Sequence, residues 1–311
     1  MPGAMRDVSL RQLRAVIAIA KTGKIVSAAN ALGLTPPAVT EQLKLMEEAL
    51  GIRLFHRTKA GLRLTDAGQV VLEAAIRTEA LLDDAHERIQ EMKGLKAGIV
   101  TIGVVSTAKY FAPRLIHAFV EANPSIEMKL VVGNRLETIE ALRSYDIDIA
   151  IMGRPPNDIV VSKLVFGPHP YVMIARPDHR LANRQRAVDR TSLAKEKLLV
   201  REIGSGSRVV FETFFRSVKR AEPSSIIEFG SNETIKQAVM AGLGLALISA
   251  HTIELEIETG RLALINVKDL PVVREWNLVH RLDKELGPAA AAFWRYALKD
   301  GQRHLPRIPG L

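Results

Sequence analysis

The sequence predicts an α/β chain in three parts: an N-terminal winged helix-turn-helix, a long linker helix, and a two-lobed, doubly wound α/β body. Three observations carry this. Basic charge is crowded into the first 65 residues, an unbroken heptad seam follows, and the rest alternates apolar strands with amphipathic helices. The expected limits are 1–65 for the head, 66–94 for the linker helix, 95–166 with 272–303 for a first lobe, 167–271 for a second, and 304–311 for a tail.

The chain has 311 residues and no cysteine. That excludes a disulfide framework, a thiolate zinc site, an iron–sulfur cluster and a thiol nucleophile. Net charge is +9, and residues 1–65 hold ten Lys/Arg against four Asp/Glu. A local basic excess points to a polyanionic partner. Met1–Leu10 has no apolar run of the secretory kind, so a cytoplasmic protein without a membrane partner is expected.

In the head, Leu10, Leu13, Val16, Ile17 and Ala20 form the apolar face of a first helix. Ser27–Leu32 is a short second helix whose small residues allow close crossing. Gly33 ends it, Leu34 plugs the turn, Thr35 caps the third helix and Pro36 opens it. This is helix-turn-helix spacing. The third helix would lie in a DNA major groove with Thr35, Pro37, Ala38, Thr40, Glu41, Gln42 and Lys44 outward. Gln42 suits adenine, and Ala38 suits a thymine methyl. Lys44 and the N-terminal amide groups of the helix suit phosphates, and Ser27 and Pro36 complete the expected DNA-binding set. Ile52–Thr65 reads as a hairpin turning at Lys59-Ala60-Gly61, a wing that brings Arg53, His56, Arg57 and Lys59 near the backbone. The partner implied is double-stranded DNA.

In the linker, Val71, Ala75, Thr78, Leu82, Ala85, Ile89 and Met92 step by 4-3-4-3-4-3. Asp66 is the expected cap and Gly94 the expected stop. The seam suits a partner helix, hence a homodimer. The plainer alternative is an amphipathic helix packed on its own core.

In the body, strands are expected at Ile99–Val105, Glu127–Val132, Ile147–Met152, Tyr171–Ala175, Leu198–Arg201, Ile226–Phe229, Leu245–Ser249 and Glu275–His280. Helices are expected at Pro113–Ala122, Leu136–Arg143, Ser207–Lys219, Glu233–Ala241, Ile253–Glu258 and Pro288–Leu298. Crossovers near Val165–Pro168 and Val267–Pro271 would join two lobes around a cleft. Gly301–Leu311 reads as a loose tail.

Open α/β folds bind ligands beyond the carboxyl ends of their strands. That places Ser106, Thr107, Asn134, Arg135, Arg154, Arg201, Asn232 and Glu233 at the cleft, with the Gly204-Ser205-Gly206-Ser207-Arg208 loop before a helix. Free N–H groups, close backbone approach at the glycines, and Lys109 with the four arginines suit an anionic ligand. Read singly, each arginine is a surface ion pair and the Gly-Ser stretch a plain turn. No His-Glu-x-x-His, Gly-x-Ser-x-Gly or phosphate-loop pattern is present, so neither an enzyme, a metal site nor a resident cofactor is expected.

The run Ala28-Ala29 … Leu34-Thr35-Pro36-Pro37-Ala38-Val39-Thr40 … Gln42-Leu43 … Leu45-Met46-Glu47 … Leu50-Gly51 … Leu54-Phe55 … Arg57, then Leu64-Thr65-Asp66-Ala67-Gly68, resembles the LysR-type transcriptional regulators. The resemblance spans nearly the whole chain. It implies a two-lobed effector domain like a periplasmic binding protein, homodimers assembling into homotetramers, and activation of a nearby operon, with RNA polymerase a partner, under a small-molecule coinducer. Glu41 departs from the family, where many members carry Arg. Val104–Pro113, Val132-Gly133-Asn134-Arg135 and Asp148–Pro156 further resemble the subgroup controlling Calvin–Benson cycle (Rubisco) operons. That subgroup implies a phosphorylated sugar, phosphoenolpyruvate or NADPH as coinducer. A family member sensing an organic or aromatic acid is the alternative.

Overall fold

The computed structural model describes residues 8–92, 98–182, 184–216, 223 and 225–311, and their side chains except at 87, 88 and 90–92. Two compact units emerge, Met1–His86 and Glu87–Leu311.

The first unit contains α1 (Leu10–Thr22), α2 (Ile25–Leu32), α3 (Pro36–Leu50), β1 (Phe55–Thr58), β2 (Gly61–Leu64) and most of α4 (Asp66–Met92). Ser9 and Gln12 close a reciprocal capping box on α1. Gly33, left-handed at φ +65°, ends α2 as expected. Leu13, Val16, Ile19, Ala28, Ala29, Val39, Met46, Leu54 and Phe55 form one core with Val71 and Ala75 of α4. Two close approaches fix the wing. A Cβ on Gly61 (φ +129°) would stand 2.5 Å from the Gly23 carbonyl oxygen, and one on Gly68 would stand 2.0 Å from that of Leu54.

Several local expectations are corrected here. Leu10 and Leu34 are exposed, and Gln12 is buried in their stead because it closes the cap. Thr35 holds the N-cap position, but its hydroxyl makes no cap bond. The cap of α4 is Thr65, whose Oγ1 accepts from the Gly68 N–H at 3.0 Å; Asp66 sits in the first turn. Lys59-Ala60 alone form the hairpin turn, since Gly61 already pairs with Thr58. Gly94 lies outside the described residues.

The seam of α4 divides. Val71 and Ala75 are buried in the head, and Thr78 is half-buried, its hydroxyl donating back to the Ala74 carbonyl. Leu82, Ala85 and Ile89 are exposed; the side chain of Met92 lies outside those described.

The second unit contains β3 (Gly98–Val105), α5 (Ala112–Ala122), β4 (Ile126–Gly133), α6 (Arg135–Arg143), β5 (Ile149–Met152), β6 (Val161–Ala175), α7 (Arg190–Leu193), β7 (Lys197–Arg201), α8 (Gly206–Arg216), β8 (Ser225–Phe229), α9 (Asn232–Met240), β9 (Leu245–Ser249), α10 (Glu254–Glu258), β10 (Ala263–Ile265), β11 (Val272–Arg281) and α11 (Pro288–Asp300). The strand order is β4-β3-β5-β11-β6-β9-β7-β8, with β10 on β6. β3 runs parallel to β4 and β5, and β7 parallel to β8 and β9. The apolar runs of β5 and β9 are wholly buried, as parallel sheets covered on both faces require.

Between the halves, β6 and β11 pair antiparallel along their length. One register shift falls at Trp276/Asn277 and leaves Phe166 out of the ladder. The expected crossover at Val165–Pro168 is therefore inside a continuous strand. A bulge bends the strand there rather than breaking it. The expected loose tail is also corrected. Leu305 packs into the core of the first lobe and Ile308 into that of the second, because both are apolar and reach uncovered apolar neighbours.

Candidate functional site

Two places gather the chemistry, one in each unit. In the head, Ser27, Thr35, Pro36, Pro37, Thr40, Glu41, Lys44, Arg53, His56, Arg57 and Lys59 are all exposed, while Ala38 and Gln42 are half-buried at the root of α3. Three of them are engaged. The Thr40 hydroxyl donates to the Pro36 carbonyl at 2.9 Å, Lys44 lies 3.6 Å from Glu48, and Arg53 lies 3.1 Å from Glu47. Glu47 also accepts from the Leu54 and Phe55 N–H groups, and so fastens the end of α3 to the wing. Arg57 and Lys59 have no carboxylate partner among the described residues. Neither does Arg63, which lies opposite His56 on the hairpin and which sequence reasoning passed over. Strand alternation is the signal that would have found it: Arg63 and His56 share one exposed face.

In the body, a cleft of about 880 Å³ opens where β6 and β11 run between the lobes. Ser106, Thr107, Asn134, Arg135, Arg154, Ser205, Gly206 and Ser207 line it. Asn134 caps α6 through a capping box with Glu137, which leaves Arg135 at the first helical position. The Arg135 guanidinium donates to the Arg154 and Pro155 carbonyls at 3.1 and 3.2 Å. Burial and the neighbouring Arg154 draw its pKa down from the ordinary guanidinium value.

The remaining expected ligands are elsewhere. Arg201 is buried in a two-pronged pair with Glu202 (2.7 and 2.8 Å) and also donates to Ser106 Oγ and Asn232 Oδ1. Arg208 is held by Glu212 and Glu228 at 2.8 and 2.9 Å. Lys109 pairs with Glu233 at 2.9 Å, and Tyr110 donates to the same carboxylate. Burial works against the charged Glu233, but hydrogen bonds from Tyr110 and Lys109 outweigh it and hold its pKa below the usual range. Gly204 abuts Leu136: a Cβ there would come within 2.7 Å of Leu136 Cδ1. Lys109, Arg201, Gly204, Arg208, Asn232 and Glu233 thus form a wall beside the cleft, not its lining.

The cleft instead gains groups from the long strand pair: Lys163, His169 and Tyr171 from β6, and Arg274, Glu275 and Asn277 from β11. The strand-end rule passed them over, because they lie along antiparallel strands and not at the carboxyl ends of parallel ones. Arg135, Arg154, Lys163 and Arg274 carry no carboxylate partner among the described residues, whereas the lining Asp158 is already paired with Arg143. Four cations against Asp158 and Glu275 make a site for an anion. Tyr171, pushed up to about 12 by burial, offers a protonated phenol. Among the described residues no group of His, Asp or Glu is placed to hold a metal ion, and no helix is long and apolar enough to cross a membrane.

A basic helix-turn-helix with a wing, on a chain whose body is a two-lobed anion cleft, can be set against known proteins. Residues 10–69 match the family model for the bacterial regulatory helix-turn-helix protein, lysR family, and residues 93–302 match the LysR substrate binding domain. The chain belongs to the LysR family of transcriptional regulators. It is 49% identical over 304 residues to the HTH-type transcriptional regulator CbbR of Sinorhizobium medicae, covering 98% of this chain and 97% of that one. It is 40% identical over 300 residues to the RuBisCO operon transcriptional regulator of Allochromatium vinosum, covering 95% and 97%. Its body is similar to the regulatory domain of Synechocystis CcmR, solved in complex with 2-PG. There the TM-score is 0.62 at 32% identity, over 65% of this chain and 96% of that one. This LysR-family chain is a DNA-binding regulator of transcription and not an enzyme.

Proposed function

We propose that this regulator controls carbon-fixation (Calvin cycle, Rubisco) genes, activating them when a phosphorylated metabolite binds in the cleft. The likeness to CbbR over 98% of the chain carries the choice of pathway. The four cations without carboxylate partners support an anionic effector. The DNA face comprises Ser27, Thr35–Ala38, Thr40–Gln42, Lys44 and the wing residues Arg53, His56, Arg57 and Lys59, with α3 in the major groove. The exposed Leu82, Ala85 and Ile89 support a partner helix on the second half of α4, hence a homodimer and, from two of those, a homotetramer. RNA polymerase is the expected downstream partner, and the cytoplasm the expected place.

Regulation is a population shift. The β6–β11 pair runs unbroken through both lobes, and a ligand touching both sides favours one arrangement of them. It does so only through unequal affinity for the two states.

A thermal-shift panel on the full chain tests the effector class. Ribulose bisphosphate, phosphoenolpyruvate, NADPH and 2-PG are set against muconate, benzoate and amino acids. Stabilisation by a phosphorylated compound is the expected result. Stabilisation by an aromatic acid alone hands the cleft to the alternative class. Protection of DNA upstream of the native Rubisco operon tests the choice of genes.

A further inference from the structure

The wall of the cleft contains a ring nitrogen with nothing to bond. His169 is 1% exposed and lines the cleft from β6. Its Nε2 lies 2.9 Å from Ser249 Oγ. Ser249 is fully buried, and its hydroxyl has no other acceptor among the described residues. The hydroxyl hydrogen therefore goes to Nε2, which places the ring proton on Nδ1. Nδ1 meets no hydrogen-bond partner. The ring is held flat against Trp276, with centroids 3.8 Å apart and planes 14° apart, and it leans on Tyr171 at 4.5 Å. Burial, with His251 nearby, keeps its pKa well below the ordinary value, so the ring is neutral.

What stands in front of Nδ1 is the cleft residue Gly153. A Cβ on Gly153 would lie 3.0 Å from that nitrogen. Glycine thus keeps the space beside that nitrogen free of a side chain. Buried polar groups are nearly always satisfied, so an orphaned ring nitrogen in the cleft wall points to a ligand that satisfies it.

We propose that His169 is a ligand-reading residue of the cleft, its Nδ1–H donating to an oxygen acceptor of a small oxygen-bearing anion whose charge is held by Arg135 and Arg154. This rests on the reading that the cleft takes an anionic effector. The chemistry selects as well as binds. An anion that turns a carbonyl, hydroxyl or carboxylate oxygen toward Gly153 completes the hydrogen bond, and one that turns an alkyl group there leaves a buried N–H unpaired.

The test uses the full chain labelled with 15N-histidine, titrated separately with phosphoenolpyruvate, ribulose bisphosphate, 2-PG and NADPH. The variants are His169→Phe, which keeps a ring against Trp276 without a nitrogen, and Gly153→Ala, which leaves His169 in place and covers Nδ1. Arg154→Gln reports on the cleft itself. For the tightest-binding probe, both His169→Phe and Gly153→Ala weaken binding roughly three- to tenfold, the size of one neutral hydrogen bond. The ring-nitrogen signal that is missing from His169→Phe moves on saturation. Binding that Arg154→Gln weakens, but that both other variants leave unchanged with a stationary Nδ1 signal, overturns the assignment of His169 and keeps the anion cleft. Absence of binding by every probe, or binding indifferent to Arg154→Gln, overturns the anion cleft and His169 with it.

Discussion

The wing and the stretch 201–208 are both basic, and the fold treats them in opposite ways. Arg57, Lys59 and Arg63 stand on the hairpin with no carboxylate partner among the described residues. Arg201 and Arg208 are gripped by Glu202, Glu212 and Glu228. The difference is already written in the spacing: Glu202 is adjacent to Arg201 and Glu212 is four residues past Arg208, whereas residues 52–65 hold no acid at all. Apart from Arg53, which Glu47 reaches from α3, the basic run without local carboxylates keeps its charge for a partner, and the one with them spends it on structure.

This contrast can be broken in four ways. The largest expected effect is Arg201→Leu, which strands Glu202, Ser106 Oγ and Asn232 Oδ1 and should cost the body about 3–5 kcal/mol. Both tryptophans, Trp276 and Trp294, lie in the body, so denaturant unfolding followed by their fluorescence reads it directly. An unchanged midpoint would show the pair to be dispensable. Arg57→Ala by contrast should stay within about 0.5 kcal/mol.

Next comes the triple variant Arg57→Ala, Lys59→Ala, Arg63→Ala. Each lost phosphate contact should lower the salt slope of DNA binding by about 0.9 and affinity at 0.1 M salt by ~8-fold, several-hundredfold for three. Fluorescence anisotropy with a DNA duplex across a salt series measures both. A slope equal to that of the wild type would remove the wing from the interface.

The third concerns pH. Burial lowers His251 to about 4 from 6.5, and His169 shifts the same way. The folded body then binds fewer protons than the unfolded chain between those values. Stability from this source is complete above pH 6.5 and is lost as pH falls toward 4, on the order of 3 kcal/mol from His251. Urea midpoints at pH 7 and 5 should differ for the wild type and differ less for His251→Asn, with His169 supplying the remainder.

The smallest effect is Gly68→Ala. Its methyl would meet the Leu54 carbonyl, at about 1–3 kcal/mol to the head. Loss of helical circular dichroism should move to lower temperature while the tryptophan transition stays fixed.

Much of the fold was legible because period and punctuation agree: Gly33, Pro36 and the apolar face of α3 mark the helix-turn-helix, and β-branched runs mark the buried strands. The cleft was half legible. Residues at the ends of parallel strands, such as Thr107 and Asn134, follow a topological rule. Lys163, His169 and Arg274 do not, because they lie along antiparallel β6 and β11, away from the carboxyl ends of parallel strands. For Arg201 and Arg208 the ion-pair reading holds, since Glu202 and Glu212 stand one and four residues away. The seam of α4 looked uniform because heptad spacing does not reveal which neighbour covers each turn. Val71 and Ala75 face the protein's own head.

The long strand pair also has a consequence for how the chain comes off the ribosome. Gly153 and Asn277, hydrogen-bonded across the seam of β5 and β11, are 124 positions apart. At synthesis rates of 5–20 residues per second, the apolar β5 edge waits roughly 6–25 s for its partner strand to be made. The second lobe lies between them in the sequence, so during that interval it can close while the first lobe still presents Ile149–Met152 uncovered to the cell.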